Sequence, residues 1–592
     1  MKKVKLILKK WQTYTLIGLI AIGAVLGFLN IRPDGLVRSH GFCADLAFAH
    51  VQSISQKPRS VLQQSALEST RQYIMQQLDL FGAENFLIEH TPVSFVSIGQ
   101  IPVNNIYARI PSSSGVYVLL MAHYDSHPLS QSTGVGDNAY AVATLLEIAR
   151  IFQAKANQNP LINGIKMVFT DAEEVGLHGA RRLVDEGDKI TGHNPDWALD
   201  NVNLVINVEG RGIRGPLFMF ETSANNRRII NFFASAGRPF AFSFAADIYR
   251  ILPMITEMGI ILDAGLNGIN LSTLDSVEYY HTDYDNLDNA CMRTLQNYGN
   301  TLVPLMIEFS TNSRYSSLDA FDSAVDSVFF TPLPNVFIRY SAVFSWIFIV
   351  MLIVGFLVLF VLLIKKQKAN PVKALISLGI WLLFIALCAL VGYLTALILA
   401  SVAGAEFSVG AIMSFVPFDR GALIITSILV CVLAFLAVFF KRKVLKINLE
   451  DIKNGGIILN MILLIVSAFL LHGATFLFLW PAALVVLATA LKYIKYKNIG
   501  KFVHCLMGGL MIVFALPLFI TISYSVFVGM TVSVLAIILA LSGAAAIVVV
   551  PTFCGIVKET NEPNFLKRGK GRGEKKSGEK VENESGEVAL AE

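Results

Sequence analysis

Short and long apolar runs alternate with polar segments along the chain, and the two kinds of run predict two different structures. Three short runs, at 116–121, 165–170 and 203–208, are rich in β-branched and aliphatic residues. Runs of this kind are typical of strands buried on both faces of a sheet. Between the first two, apolar residues recur at helical spacing over 139–153. This alternation predicts an α/β fold with a mixed, largely parallel sheet and helices on both faces.

Four further segments belong to the predicted α/β domain. Helical spacing of apolar residues indicates helices near 41–55 and 60–81. The segment 105–110 is a candidate strand. The segment 111–115 contains a proline, three serines and a glycine, and we predict that it forms a hairpin-like turn.

The long apolar runs predict a membrane part. The first run, at 15–29, follows a lysine-rich start, and no small-residue cleavage site follows it, which favours an uncleaved signal anchor. After residue 340 each run meets or approaches the roughly 20 residues that a membrane-spanning helix needs. The predicted spans of this second half lie near 341–364, 375–400, 421–440, 456–472, 474–493, 503–523 and 531–550.

The placement of basic residues predicts the orientation of the spans. Lysine and arginine are concentrated at 365–368, 441–443, 492–501 and 567–580, whereas the alternate loops are nearly free of them. Because cytoplasmic loops carry the excess of basic residues, we predict eight spans, cytoplasmic termini and a non-cytoplasmic α/β domain. The predicted domains are a basic start with signal anchor at 1–30, the α/β domain at 31–335, about seven membrane helices at 336–556 and a disordered cytoplasmic tail at 557–592.

Composition supports the membrane assignment and narrows the classes of function. Only 15% of the 592 residues are charged, against roughly 25% in soluble proteins. The net charge of +5 is modest, and its basic clusters flank apolar runs, which favours membrane orientation over nucleic-acid binding. No CxxC motif occurs among the six cysteines, whereas Cys43 and Cys291 of the α/β domain could pair in an oxidising compartment.

The three short runs end in residues that bind metals. The first leads to His123 and Asp125, the second to Glu173 and Glu174, and the third to Glu209. Taken singly, each has an ordinary explanation, such as a buried structural histidine or acids at the start of a helix. Sites in open α/β sheets form at the carboxyl ends of the strands, so together these residues predict a metal site. Neutral imidazoles and carboxylates are ligands that suit zinc.

Two residues outside the runs fit the same site. Asp137 lies in a glycine-containing turn, and its two oxygens could bridge two ions, while His281 follows far downstream. Two metal ions roughly 3.5–4 Å apart can activate one water and hold a tetrahedral oxyanion. Adjacent glutamates can then divide the remaining roles, one as a ligand and the other as the general base.

The order of these motifs resembles metallopeptidase family twenty-eight, the co-catalytic zinc aminopeptidases. The motifs are HYD at 123–125, GDN at 136–138, EEVGLHGAR at 173–181, NVEGRG at 207–212 and YYHT at 279–282. The resemblance runs from about residue 41 to residue 310. A catalytic domain followed by several spans is similar to the vacuolar-membrane and endoplasmic-reticulum peptidases of that family and to their bacterial relatives.

The resemblance implies two zinc ions per chain. His123, Asp137 and Glu209 would hold one ion, and Asp137, Glu174 and His281 would hold the other. Glu173 would be the general base, and Asp125 would orient His123. Glutamate at position 209 resembles the membrane-bound branch, since soluble members often have aspartate there.

The implied function is that of a membrane-anchored di-zinc exopeptidase, an aminopeptidase whose partners are peptide substrates and the lipid bilayer. A water that bridges the zinc ions would attack the first peptide bond, and Glu173 would take its proton and return it to the leaving amine. The expected membrane is the cell membrane in a bacterium and the vacuolar or endoplasmic reticulum membrane in a eukaryote. The sequence at 246–249 departs from the Asp-Thr-Asp-aromatic run of the membrane branch.

Three alternatives remain open in the sequence. A glutaminyl cyclase, a zinc transferase of similar fold, would use a single zinc ion. A catalytically inactive receptor or interaction protein would have lost ligands or the base, and a transporter would need intramembrane charges, which the predicted spans almost lack. Arg211 and Tyr280 are candidates for substrate binding, although structural roles fit them as well. We expect His127 and His178 to lie behind the ligands or at the surface.

Overall fold

The computed structural model of the protein describes residues 2–33, 35, 40–95, 99–193, 197–251, 256–402, 420–492, 497–530 and 534–560. An α/β domain is followed by a bundle of long apolar helices. The strands are β1 (Glu84–Phe95), β2 (Gly99–Ile110), β3 (Tyr117–His123), β4 (Gly164–Thr170), β5 (Val202–Gly210), β6 (Phe218–Thr222), β7 (Gly268–Thr273), β8 (Ser327–Leu333) and β9 (Val336–Ser341). The helices of this domain are α2 (Ala44–Ile54), α3 (Gln64–Phe81), α4 (Tyr140–Ala156), α5 (His178–Asp185), α6 (Gly187–Thr191), α7 (Arg227–Phe233), α8 (Ser243–Tyr249), α9 (Glu257–Asp263) and α10 (Met292–Thr311), and α1 (Lys2–Asn30) precedes it.

The sheet of the α/β domain is mixed, as the sequence predicts. Its seven strands have the order β1-β2-β4-β3-β5-β7-β6, and β8 and β9 form a separate pair. The central neighbours β4–β3, β3–β5 and β5–β7 are parallel. The pairs β1–β2, β2–β4 and β6–β7 towards the edges are antiparallel. The parallel centre brings the carboxyl ends of β3, β4 and β5 to one edge of the sheet.

Helices cover both faces of the sheet, which confirms the predicted three-layer arrangement. Along β3, Val118 and Leu120 join a core cluster with residues of α2, α3, α4 and α10. The alternate residues Leu119 and Met121 face the other cluster, to which α5 and α9 contribute. Every residue of β3, β4 and β5 is buried. Burial of each large aliphatic side chain stabilises the fold by about 1.5–3 kcal/mol, which explains why these strands read as continuous apolar runs.

The predicted hairpin at 111–115 is wrong. The segment connects β2 to β3, but β4 lies between these two strands and pairs with both. The chain does reverse direction at 111–115, as its turn-forming residues indicate. However, β4 rather than β3 pairs with β2. The strand at 105–110 is the second half of β2, which pairs antiparallel with β1. Cys43 and Cys291 are both free, so they do not pair in this structure.

The second half of the chain is helical, with α11 (Ala342–Lys365), α12 (Pro371–Val402), α13 (Arg420–Lys443), α14 (Leu449–Leu470), α15 (Thr475–Lys492), α16 (Lys497–Met530) and α17 (Leu535–Thr560). Among the described residues, five helical segments are long and apolar enough to cross a membrane, and they lie in α11, α12, α14, α15 and α16. The other three predicted spans coincide with α1, α13 and α17. In α1 and α17 the described apolar stretches are shorter, at Ile17–Asn30 and Leu535–Pro551.

Charged residues that flank the predicted spans are buried where the helices meet. The helix α14 begins seven residues before the span predicted at 456–472, and it buries Asp451 and Lys453. Lys441 of α13 is also buried, with its ammonium 3.3 Å from the ring centre of Trp381 and 3.2 Å from the carbonyl oxygen of Ser377. The apolar runs therefore predict the spans but miss the polar packing at their ends.

The α/β domain rests on the helix bundle through polar contacts of α8. The hydroxyl of Ser243 donates a 2.7 Å hydrogen bond to the carbonyl oxygen of Gly473, in the short connection between α14 and α15. The amide of Gly473 donates a 2.6 Å hydrogen bond to Asp247. A side chain at position 473 would lie 2.6 Å from the carbonyl oxygen of Ser243, so only glycine fits there. The rings of Phe330 and Phe476 stack beside this contact at 4.3 Å.

Candidate metal centre

The residues that the sequence singles out converge at the carboxyl edge of the parallel strands. His123 is the last residue of β3, and Glu209 is the penultimate residue of β5. Glu173 and Glu174 follow β4. The remaining two predicted ligands arrive from outside the sheet: Asp137 from the one-turn helix Val135–Ala139, and His281 from the loop after the short helix Val277–Tyr279.

Asp137 stands between two groups of possible metal ligands. Its Oδ1 lies 3.1 Å from Nε2 of His123, and its Oδ2 lies 3.2 Å from Nε2 of His281. In the first group, Oε2 of Glu209 lies 3.8 Å from Nε2 of His123. In the second, Oε2 of Glu174 lies 3.0 Å from Nε2 of His281. One carboxylate thus faces both groups, one oxygen to each.

His127 adds a histidine to the second group. Its ring stacks on that of His281, with 4.0 Å between the ring centres and 20° between the planes. One ligand atom from each of His127, Glu174 and His281 lies within 4.8 Å of the others, as is also true of His123, Asp137 and Glu209. The sequence predicts His127 behind the ligands or at the surface. Its ring contacts that of His281, which is far away in the chain, and sequence spacing does not reveal this contact.

Two buried charges hold the loop that carries Asp137. The guanidinium of Arg59 donates to the carbonyl oxygen of Gly134 at 2.9 Å. The carboxylate of Asp285 accepts hydrogen bonds from the amides of Gly136 at 2.6 Å and Asp137 at 3.2 Å. Burial raises the pKa of Asp285 to about 6 and lowers the pKa of Arg59 to about 10. Neither residue is singled out by the sequence analysis, because both act on a segment far away in the chain.

Close backbone packing and left-handed backbone conformations complete the loop geometry. A side chain at Gly210 would lie 1.9 Å from the carbonyl oxygen of Gly136, so the backbones beside Glu209 and Asp137 can approach only because position 210 is glycine. His281 has φ of 57° and Ala172, which precedes Glu173, has φ of 54°. Such conformations cost non-glycine residues roughly 1–3 kcal/mol and are concentrated at functional sites.

Asp125 positions both the glutamate pair and the first histidine. Its carboxylate accepts hydrogen bonds from the amide of Glu173 at 3.1 Å and from the amide of Glu174 at 3.2 Å. The same carboxylate lies 3.5 Å from Nδ1 of His123, which is closer, at 3.1 Å, to the carbonyl oxygen of Asp125. Either contact favours a proton on Nδ1, which would leave the Nε2 lone pair of His123 available to a metal.

The site concentrates negative charge in a buried environment. Burial raises the pKa of Glu174 to about 8, and Asp137 adds to the rise. Burial also raises the pKa of Glu173 and Glu209, for Glu173 well above its ordinary value. Burial opposes ionisation of Asp137 as well, yet the rings of His123 and His281 hold its pKa below its usual range. Several buried carboxylates are therefore short of compensating positive charge.

Glu257 is a further buried acid that the sequence analysis misses. It opens α9, its exposed fraction is 0%, and neither carboxyl oxygen has a hydrogen-bond partner among the described residues. Burial raises its pKa to about 8, with Glu209 adding to the rise. In the sequence, Glu257 looks like an ordinary acid at the start of a helix. No local pattern reveals that it lies near the ends of the strands.

The two candidates for substrate binding lie beside the second group. The ring of Tyr280 stacks on that of His281 with 3.7 Å between centres, and the guanidinium carbon of Arg211 lies 5.7 Å from the Tyr280 ring centre. Both residues line a small cavity next to Asp137. The run at 246–249 is the one that departs from the pattern of the membrane branch. Its Asp247 accepts a hydrogen bond from the amide of Gly473 in the helix bundle.

The donor set and its unpaired atoms fit zinc. Imidazole nitrogens and carboxylate oxygens are ligands that zinc prefers. Nε2 of His281 and Oε1 of Glu174 are buried and make no hydrogen bond among the described residues, although Nε2 of His281 lies within ion-pair distance of two carboxylates. Polar atoms that lie close together without forming hydrogen bonds are placed as the ligands of one metal ion would be. The positive charge of metal ions would also compensate the buried carboxylates.

Comparison with known proteins matches the part of the chain that contains these residues to one family model. Residues 105–306 match the family model described as Peptidase family M28. The mouse endoplasmic reticulum metallopeptidase 1 is 27% identical over 335 residues, which cover 52% of this chain and 36% of the mouse protein. The vacuolar membrane protease of Clavispora lusitaniae is 26% identical over 235 residues, which cover 39% of this chain and 21% of that protein. The matched part thus spans well under half the length of these relatives.

Solved structures similar to part of this chain include two kinds of protein. A glutaminyl cyclase from Porphyromonas gingivalis has 21% identity and a TM-score of 0.37, and the match covers 46% of this chain and 99% of that one. A Zn-dependent exopeptidase from Parabacteroides distasonis has 21% identity and a TM-score of 0.36, with 46% of this chain and 98% of that one covered.

Proposed function

We propose, from the match of residues 105–306 to the family model described as Peptidase family M28, that the protein is a membrane-anchored zinc exopeptidase, an aminopeptidase that holds two zinc ions per chain. The observation that carries the proposal is the position of Asp137, whose two oxygens lie 3.1 and 3.2 Å from histidine nitrogens of two separate ligand groups. A carboxylate so placed suits a bridge between two ions.

The five proposed ligands are divided between two ions, with Asp137 shared by both. His123, Asp137 and Glu209 would hold one, and Asp137, Glu174 and His281 would hold the other. When bound, the zinc ions supply Lewis-acid activation of water and positive charge for the oxyanion of the transition state. The protein supplies the fixed geometry: Asp125 orients His123, while Arg59 and Asp285 hold the Asp137 loop.

Glu173 is the proposed general base. Its backbone is fixed by Asp125, and it adjoins the ligand Glu174 without belonging to either ligand group. Glu173 would accept the proton of the attacking water as a carboxylate, and its buried setting would stabilise the protonated form that results. It then delivers this proton to the nitrogen of the leaving amine, which completes cleavage of the peptide bond.

The exopeptidase assignment is tested on the full-length protein in detergent. We expect it to release single amino acids from the amino end of unblocked peptides and to leave N-acetylated versions of the same peptides intact, as mass spectrometry of the products would show. Cleavage at internal bonds or of acetylated peptides would contradict the aminopeptidase assignment. Loss of ammonia from peptides with N-terminal glutamine, without hydrolysis of any peptide, would favour a cyclase instead.

We also propose that the peptidase domain, at 31–335, lies on the non-cytoplasmic side of the membrane, with the helices at 336–556 in the bilayer. The basic loops at 365–368 and 441–443 support this orientation. The names of the relatives support a membrane location. A membrane-impermeant maleimide should label Ser113→Cys, at an exposed site of the peptidase domain, on intact cells of a bacterial host. It should label Gln367→Cys only after permeabilisation. The reverse pattern, against the wild-type background, would overturn the orientation.

A further inference from the structure

The second ligand group holds one more histidine than the proposed function uses. His127 lies four residues after His123, in the segment that follows β3, and its ring is stacked on that of His281. The ring centres are 4.0 Å apart and the planes nearly parallel, at 20°. Each of the two imidazoles also has a ligand nitrogen within 4.8 Å of a carboxylate oxygen of Glu174.

The distances are close to those of one coordination sphere. Ligand atoms of His127, Glu174 and His281 lie within 4.8 Å of one another. Nitrogen and oxygen ligands bind zinc at about 2.0–2.2 Å, so two ligands of one ion are at most about 4 Å apart. A shift of about 1 Å in the side chains would therefore bring all three groups onto a single ion.

Unpaired polar atoms mark the same place. Nδ1 of His127 is buried without a hydrogen-bond partner among the described residues, and so are Oε1 of Glu174 and Nε2 of His281. Leaving a buried polar group without a hydrogen bond is energetically unfavourable. Stacking on His281 would explain the position of the His127 ring, but it would not explain three unpaired polar atoms in one group.

We propose that His127 is a fourth protein ligand of the zinc ion held by Asp137, Glu174 and His281. This inference rests on the proposed function and deepens it, because it makes the two metal sites unequal. Four protein ligands close a zinc site, whereas three leave a position for water or substrate. The site of His123, Asp137 and Glu209 would then keep the open position, and the site with His127 would serve mainly as a source of fixed positive charge.

X-ray absorption spectroscopy at the zinc edge tests the inference on the full-length, zinc-loaded protein in detergent. In the wild type we expect about 1.5 imidazole ligands per zinc ion, from three histidines on two ions. His127→Ala should give about 1.0, and its second ion should bind at least about 10-fold more weakly in competition with a chromophoric chelator. His193→Ala, at an exposed histidine outside the site, is the matched control and should behave as wild type.

A third variant distinguishes the loss of a metal ligand from a folding defect. His127→Cys keeps a zinc ligand at the position, and we expect it to bind both ions and to show a sulfur neighbour at about 2.3 Å from zinc. A histidine that only stacks on His281 would give no such signal. The inference is overturned if the wild type already has about 1.0 imidazole per ion and His127→Ala binds both ions as tightly. A wild-type protein that binds no zinc would instead refute the proposed function itself.

Discussion

Replacing Glu173 by glutamine is expected to lower kcat for unblocked peptides by about 10²–10⁴-fold, the range that a positioned general base contributes. Glutamine has nearly the same shape as glutamate but cannot accept a proton from water or return it to the leaving amine. The change leaves every proposed ligand in place, because Glu173 belongs to neither ligand group. We therefore expect zinc content and thermal stability to stay close to those of the wild type.

The matched control for this change is Glu89→Gln, which alters an exposed acid of β1 in the same way. Its kcat should equal that of the wild type. If Glu173→Gln retained full activity with both ions bound, another group would have to move the proton, and Glu257 would be the first to test because it is buried near the same strand ends. If the variant lost zinc as well as activity, Glu173 would act as a ligand rather than as the base.

Replacing Asp137 by asparagine is expected to remove zinc from at least one of the two groups and to abolish hydrolysis. The carboxylate presents one oxygen to His123 and the other to His281, so it is the only side chain among the described residues shared by both proposed ligand sets. Asparagine keeps one oxygen and turns an amide donor towards the other group, where a metal ligand must offer a lone pair. Elemental analysis should show zinc falling from about two ions per chain to one or fewer.

Asp283→Asn is the control, since it changes an exposed acid two residues from His281 in the same way. It should retain both ions and full activity. An Asp137→Asn protein that kept two zinc ions with unchanged affinity would show that the two groups do not share a ligand. Circular dichroism of the two variants separates loss of metal from loss of fold.

The core of the sheet and the convergence of the site follow from local sequence. The runs before His123, Glu173 and Glu209 are apolar at nearly every position because β3, β4 and β5 are buried on both faces. Once these runs are strands of one parallel sheet, their carboxyl ends must meet at one edge. The proximity of residues far apart in sequence is then a consequence of topology, and Asp137 joins them through its own turn.

Other features depend on contacts that no local pattern encodes. The turn at 111–115 looks like a hairpin, and only the insertion of β4 beside β2 decides otherwise. Arg59 and Glu257 reach the site from segments whose own composition gives no hint of it. The stacking of His127 on His281 joins residues that lie far apart in the chain. In the helix bundle, the burial of Lys441 against Trp381 depends on the packing of separate helices, whereas hydropathy reports only the apolar runs.

Anomalous diffraction at the zinc edge, measured on the full-length protein, tests the shared-carboxylate centre most directly. We expect two zinc peaks roughly 3.5–4 Å apart on either side of the Asp137 carboxylate, one beside His123 and Glu209 and the other beside Glu174 and His281. A single peak would contradict the two-ion centre, and peaks only at other positions in the protein would contradict the assignment of the site.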